Sequence, residues 1–180
     1  HGTDITLVGS HPSYKAAVEF SINKSDAVTA VSESLKNDTE ELFNIDTEIV
    51  YTNMNQPLGK YAGLRCEILE SIDCLNGNGP SDLMDITLEL GSKILIQSKI
   101  ANHNQMAIKM MLESIENKSA LNKFKDIISS QGGDIDSLIE EGIKKNNTII
   151  VRSKNSGFIE SMKTDEIGWA LVEIGAGRKK

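Results

Sequence analysis

Residues 53–59, Asn-Met-Asn-Gln-Pro-Leu-Gly, predict a tight turn that joins a buried strand to a helix. The short apolar run at residues 49–51, Ile-Val-Tyr, comes directly before this stretch and predicts the strand. Proline and glycine interrupt regular structure, so the chain turns at residues 57–59 before a new period begins. That period is helical, because apolar residues recur at Leu64, Ile68, Ile72 and Leu75.

An earlier apolar run at residues 5–8 predicts a first strand. Asn23 followed by Asp26 predicts a cap for the helix that comes next. The inward stripe of that helix is predicted at Val28, Val31 and Leu35. Strand, helix and strand in this order predict a βαβ unit whose parallel strands are buried on both faces.

More helices are predicted in the middle of the chain. The Asn-Gly-Asn-Gly-Pro break at residues 76–80 separates the first of them from a helix over residues 81–100. Apolar stripes predict another helix around residues 108–115 and one around residues 121–128 that ends at the glycine pair 132–133. We expect these helices to form a layer on the sheet.

Near the end of the chain, the pattern of apolar residues changes from helical spacing to short runs typical of strands. Residues 148–151 and 158–162 predict two strands, joined by the turn residues at 154–157. Thr164 then predicts the cap of a last helix, with Gly175 just past its end.

These elements together predict an α/β fold: a mixed, partly parallel sheet with a helical layer, ending in a short β-hairpin plus helix. Residues 1–145 are expected to form an α/β domain with its helical layer. Residues 146–180 are expected to start a C-terminal β-hairpin and helix region.

Composition excludes some classes of protein. With 180 residues, 39% of them apolar, the chain can bury one core. Its formal net charge of −7 argues against a nucleic-acid partner, which needs a basic face, and the longest basic run is only residues 178–180. No apolar run approaches the ~18 residues of a membrane span, and the start lacks a signal-peptide layout. We therefore expect no membrane partner and a cytoplasmic location.

The cysteines and histidines do not predict a metal centre. Cys66 and Cys74 are eight residues apart on one predicted helix, so their Cα atoms are roughly 12 Å apart, too far for a disulfide. We expect reduced, half-buried thiols. The histidines, His1, His11 and His103, have no ligand-like spacing, so zinc is not predicted.

Further motifs accompany the turn at residues 53–59. They are Gly-Asn-Gly-Pro-Ser-Asp-Leu at residues 77–83, Gly-Phe-Ile-Glu-Ser-Met at residues 157–162, and Gly-Ala-Gly-Arg at residues 175–178. In order and spacing, this set resembles the thymidine/pyrimidine-nucleoside phosphorylase family. The resemblance runs from about Asp4 to Arg178, and it matches only the middle and later α/β portion of a family member.

The resemblance implies a glycosyltransferase of the pentosyltransferase class, acting in pyrimidine metabolism and nucleoside salvage. Family members catalyse reversible phosphorolysis, in which phosphate attacks the anomeric carbon of a pyrimidine nucleoside such as thymidine or uridine. Phosphate and the nucleoside are the implied partners, and no organic cofactor is needed for the chemistry. The family forms homodimers, whereas we expect this chain alone to be a monomer.

Glu67 and Glu70 follow the turn, three residues apart on one predicted helix face. From the residues alone, they are either a solvated acidic surface or, with the turn carbonyls, a site for a hard cation. The resemblance implies a potassium ion bound by the carbonyls of Leu58 and Tyr61 and the carboxylate of Glu70. The family completes that site with a phosphate loop whose pattern is absent here, so weak binding is expected.

Two other positions leave alternatives open. Phe20 corresponds to an aromatic residue that lines the base pocket in the family, which implies substrate binding, but a packed core phenylalanine is the favoured alternative. The Gly-Asn-Gly loop at residues 77–79 is either an anion cradle or, more simply, an interhelical turn.

Two catalytic patterns of the family do not occur in these 180 residues. One is the Lys-His-Ser-Thr-Gly-Gly phosphate cradle, and the other is the clamp on the base, an arginine followed by a Ser-x-x-x-Lys helix. We therefore assign no catalytic residue and predict a partial phosphorylase chain that is inactive by itself. The alternatives are a non-catalytic binding or scaffold module of the same fold, and a related pentosyltransferase with another substrate.

Overall fold

The structure is a computed structural model that describes residues 12–25, 28–30, 33–43, 47–53, 55–143 and 149–175. The chain divides into two compact units. One comprises residues 1–52 and 85–112, and the other comprises residues 53–84 and 113–180. The helices are α1 (Pro12–Asn23), α2 (Glu33–Phe43), α3 (Leu64–Leu75), α4 (Ser81–Gln97), α5 (Asn104–Glu116), α6 (Ser119–Ser130), α7 (Ile135–Glu141) and α8 (Thr164–Glu173), and the strands are β1 (Thr29–Ala30) and β2 (Glu48–Ile49).

A small βαβ unit lies in the first unit. Strands β1 and β2 pair in parallel, with Thr29 opposite Glu48 and Ala30 opposite Ile49. Helix α2 connects them and contacts both strands, and it buries Thr39. The predicted βαβ arrangement is therefore present, but its first strand is β1. The strand predicted at residues 5–8 lies outside the described residues.

The helix predicted through Val28 is wrong, because the chain there is extended. Glu48 donates its backbone N–H to the carbonyl of Val28 at 3.2 Å, and Val28 donates its own N–H to the side chain of Gln97 at 3.2 Å. These partners lie far away in sequence, so pairing across the unit overrides a local helical pattern. Helix α2 begins only at Glu33, and Val31 lies outside the described residues.

The structure confirms most of the helices predicted after the turn, and two of them, α3 and α6, lie in the second unit. Helix α3 contacts α6, and α6 contacts α7. Ile72 of α3 is 5% exposed and Ile135 of α7 is 6% exposed, so both belong to its core. Helix α4 ends at Gln97, three residues before its predicted end. It stops there because Lys99 adopts a left-handed conformation, with φ of 60°.

The predicted β-hairpin is not formed, since residues 149–163 contain no strand. Val151 is 90% exposed and Phe158 is fully exposed. A two-stranded hairpin is marginal in water unless one face packs against other elements, and strand propensity depends on such packing. The predicted last helix is present as α8, but its cap position is occupied by Lys163 and not by Thr164, which is the first residue of the helix. The described fold is mostly helical with a small parallel sheet, and the predicted larger mixed sheet is not observed in it.

Two further predictions concern a membrane span and the boundary between domains. None of the described helices combines the length and apolar character that crossing a membrane requires. The predicted division of the chain between residues 145 and 146 stays a prediction.

Candidate functional site

The candidate site is the turn over residues 57–63, which leads into α3. Gly59 has φ of 75° and Gly63 has φ of 133°, a backbone region that residues with a Cβ atom rarely adopt. The glycines of the sequence therefore allow the chain to wrap tightly at this point. The carbonyls of Leu58 and Tyr61, which the resemblance assigns as cation ligands, both belong to this turn.

Glu70 lies against the turn from α3. It is 4% exposed, and its Oε1 atom accepts a hydrogen bond from the backbone N–H of Lys60 at 2.8 Å. Its other carboxylate oxygen, Oε2, lies 2.5 Å from the point that a Cβ on Gly59 would occupy. The absence of a side chain at Gly59 thus lets a buried carboxylate approach the backbone.

Asp82 reaches the same turn from the first turn of α4. Its Oδ2 atom accepts a hydrogen bond from the backbone N–H of Gly59 at 3.0 Å. Neither the spacing nor the resemblance predicts a role for Asp82 at this turn. The sequence does contain one indication of this contact. Asp82 belongs to the motif at residues 77–83, and Gly59 ends the motif at residues 53–59.

Glu67 differs from Glu70 although both are on α3. Glu67 is exposed, and its Oε1 atom accepts the backbone N–H of Gly63, the residue before the helix, at 2.6 Å. This bond satisfies the N–H of the cap residue of α3, which is the half of a capping box that a glutamate supplies. The solvated alternative therefore describes Glu67 and is wrong for Glu70.

The donor set fits a hard cation. Burying a carboxylate is costly unless its charge is compensated, and among the described residues Glu70 forms no ion pair with lysine or arginine. Carboxylate and carbonyl oxygens are the ligands that hard cations take. No group of three or more His, Cys, Asp or Glu side chains is placed to hold a metal in the part of the chain described, so backbone carbonyls would supply most of the ligands.

The loop at residues 76–80 is an interhelical turn. Gly77 donates its N–H to the carbonyl of Cys74 at 2.9 Å, and Asn78 donates to the carbonyl of Asp73 at 2.9 Å. These N–H groups bond to carbonyls at the end of α3 and are not free to bind an anion. The prediction of an interhelical turn is therefore confirmed. Lys118 adds a positive charge there, with Nζ 3.1 Å from the carbonyl of Asn76.

Both cysteines are free and half-buried on α3, as predicted. Burial raises the pKa of the Cys74 thiol, and the negative charges of Glu70, Asp73 and Asp82 raise it further. A raised pKa keeps this thiol protonated and poorly nucleophilic near neutral pH. Cys74 is therefore a packing residue beside the candidate site.

Phe20 is placed on α1, in the first unit, where it is 65% exposed. The alternative that it is a core residue is wrong. The Nζ atom of Lys24 lies 6.0 Å from the centroid of its ring, at the outer range of a cation–π contact.

No family model matches the chain, but curated relatives of it are found. The chain is 38% identical over 136 residues to a pyrimidine-nucleoside phosphorylase of Staphylococcus haemolyticus. It is 40% identical over 132 residues to a thymidine phosphorylase of Metamycoplasma hominis. These matches cover 74% and 72% of this chain but 31% and 48% of the relatives, so the chain spans less than half the length of either one. Over this matched part, the chain belongs to the thymidine/pyrimidine-nucleoside phosphorylase family.

Proposed function

We propose that this chain contributes the cation-binding part of a pyrimidine-nucleoside phosphorylase, an enzyme that transfers a pentosyl group between a pyrimidine base and phosphate. The burial of Glu70 against the glycine turn carries this proposal. A buried carboxylate that accepts one backbone N–H and has no ion-pair partner among the described residues is a costly arrangement. A cation-binding role supplies the reason for that cost.

The proposed ion is potassium. The carboxylate of Glu70 and the backbone carbonyls of Leu58 and Tyr61 would hold it. The ion would supply positive charge that offsets the buried carboxylate and orders the turn. In this chain, the N–H of Lys60 holds Oε1 of Glu70 in place, and the missing Cβ of Gly59 gives the carboxylate room.

The reaction itself requires groups from outside the motifs present here. Phosphorolysis needs donors that hold the phosphate and a positively charged clamp that stabilises charge on the departing base. Neither family pattern for these tasks occurs in the 180 residues. We therefore propose that the chain alone does not turn over a nucleoside. Phe20 is proposed as a base-stacking residue, and its exposure on α1 is compatible with that role.

Absorbance of the released base tests this function. Uridine or thymidine is incubated with phosphate, first with the chain alone and then with a separately made polypeptide that carries the cradle and clamp patterns. Activity only in the mixture, weakened by Glu70→Gln, is the expected result. Turnover by the chain alone contradicts the proposed inactivity. If a folded protein releases no base in either experiment, the non-catalytic binding or scaffold module is favoured.

Oligomeric state needs a separate test. We expect the isolated chain to elute as a monomer in size-exclusion chromatography with light scattering. Elution as a stable dimer would contradict this expectation.

A further inference from the structure

The peptide unit between Leu58 and Gly59 links a proposed cation ligand to a helix that contributes no ligand. Its carbonyl belongs to Leu58, and its N–H belongs to Gly59. The described backbone contains no cis peptide bonds. In a trans peptide the C=O and the N–H point in opposite directions within one plane. Any group that holds the N–H of Gly59 therefore also sets the direction of the Leu58 carbonyl.

Asp82 is the group that holds this N–H. Its Oδ2 atom accepts the bond at 3.0 Å, across 23 residues of sequence. The Leu58 carbonyl must consequently point away from Asp82. A hydrogen bond to a charged acceptor is roughly twice as strong as a neutral one, which makes Asp82 an effective holder of the peptide plane.

The next peptide unit is set in the same manner by another carboxylate. Glu70 accepts the N–H of Lys60 at 2.8 Å, so the carbonyl of Gly59 points away from Glu70. This orientation removes the Gly59 carbonyl from the set of oxygens that could join Glu70 around one ion. The two carboxylates therefore act on neighbouring peptide units, and each determines which way one carbonyl faces.

We propose that Asp82 is a positioning residue that directs the Leu58 carbonyl toward the bound cation, an inference that rests on the potassium site proposed above. Asp82 acts through the peptide plane and is not itself a ligand. The bond also polarises the peptide, because a donated N–H makes the carbonyl at the other end of the unit more negative. The second motif at residues 77–83 thus supports the ligand geometry of the first.

A purely structural role for Asp82 is the competing explanation. Asp82 lies in the first turn of α4, where a negative charge stabilises a helix through its dipole. Asp85 lies one turn further along the same helix and is exposed. Asp85→Ala therefore removes the same side chain and charge from α4 without touching the turn, and it serves as the matched control.

The test is thermal unfolding of the 180-residue chain while potassium chloride replaces choline chloride at constant ionic strength. Ligand that binds only the folded state raises the melting temperature with concentration, so the titration yields an apparent potassium affinity. The wild type and Asp85→Ala should respond equally. Asp82→Ala should bind potassium ~10- to 100-fold more weakly, the range for residues that orient metal ligands. Glu70→Gln should abolish the response.

The outcomes distinguish the positioning role from the cation site. If Asp82→Ala binds potassium as tightly as the wild type, the positioning role is overturned and the cation site stands. If the wild type shows no potassium-specific response, the cation site and the positioning role both fall. Circular dichroism checks that Asp82→Ala is folded in choline. If it is not, Asp82→Leu, which keeps a side chain of similar shape but has no acceptor oxygen, replaces it, and wild-type affinity in that variant overturns the inference.

Discussion

The Oε2 atom of Glu70 lies 2.5 Å from the position that a Cβ on Gly59 would occupy. Real Cβ atoms do not approach an oxygen this closely, so a side chain at position 59 would displace the carboxylate. Gly59 also has φ of 75°, which strains any residue with a Cβ. The turn therefore depends on this glycine for backbone conformation and for space.

Gly59→Ala should destabilise the protein through both effects. The backbone strain costs about 1–2 kcal/mol, and loss of the buried hydrogen bond to Glu70 adds about 1–3 kcal/mol. Gly132→Ala is the control, because Gly132 has φ of 79° and nothing within 4 Å of its Cβ position. Urea denaturation measures both variants. Equal losses of unfolding free energy would show that the contact with Glu70 contributes nothing.

Two buried threonines of the first unit should respond in opposite directions to valine. Thr47 is 1% exposed, and its hydroxyl has no hydrogen-bond partner among the described residues. Thr39 is 2% exposed, and its hydroxyl donates to the carbonyl of Leu35 at 2.6 Å. Since an unpaired buried polar group costs about 1–3 kcal/mol, Thr47→Val should raise the unfolding free energy.

Thr39→Val should lower the unfolding free energy by about 0.5–1.5 kcal/mol, the usual net value of one hydrogen bond. Both substitutions keep the shape of the side chain, so the difference between them reports the state of the hydroxyl. Denaturation midpoints in urea provide the comparison. A loss of stability in Thr47→Val would indicate that its hydroxyl is satisfied in solution.

Arg65 should stabilise the end of α7. Its guanidinium donates to the carbonyl of Gly142 at 3.0 Å, to the carbonyl of Leu138 at 3.3 Å and to the carboxylate of Glu141 at 3.0 Å. Lysine cannot reproduce this planar fork. Arg65→Lys should cost about 1–2 kcal/mol and speed hydrogen exchange in α7.

Glu141→Gln is the control for this prediction. It removes the negative charge from the ion pair with Arg65. The side chains of Arg65 and Glu141 are 37% and 46% exposed, and an ion pair exposed to this degree contributes about 0–1 kcal/mol. Hydrogen exchange followed by mass spectrometry reports on α7 directly. If the two variants accelerate exchange equally, the bonds to the carbonyls of α7 are not what holds the helix end.

The thiol of Cys74 should make stability depend on alkaline pH. Burial, with the neighbouring carboxylates, raises its pKa, so the folded state keeps the proton longer than the unfolded state does. Between the unfolded pKa of about 8.5 and the higher folded pKa, the folded state binds more protons, and the unfolding free energy falls as pH rises. Below that window the thiol contributes no pH dependence.

Cys74→Ser should flatten this decline relative to the wild type. Urea midpoints measured on both proteins under reducing conditions, from neutral pH upward, provide the test. Alkylation should also be slow at Cys74 near neutral pH, since the thiolate is the reactive form. An identical alkaline slope in both proteins would assign the decline to other groups.

Local spacing predicted much of the fold after the turn. The bounds of α3 follow from an apolar stripe and from the Gly-Asn-Gly-Pro break that stops it. Elsewhere, tertiary contacts opposed the local pattern. Val28 is extended because its backbone pairs with Glu48 and Gln97. The predicted hairpin is absent from residues 149–163, where most apolar side chains are exposed and do not pack on other described elements.

The candidate site shows the same limit at the level of single residues. Helical spacing places Glu67 and Glu70 on one face of α3, and the resemblance singles out Glu70. Spacing cannot show that one carboxylate caps the helix in solvent while the other is buried on the turn. Asp82 was missed because sequence patterns describe one segment at a time, whereas its partner lies in another motif.

The sequence by itself determined the motifs, the family and the helices that follow the turn, because periodicity and the positions of glycine and proline act over a few residues. Only the tertiary structure decided which carboxylates meet the turn. Glu70 and Asp82 reach neighbouring N–H groups from different helices. Such contacts depend on where α3 and α4 direct their side chains relative to the turn, which no local pattern encodes.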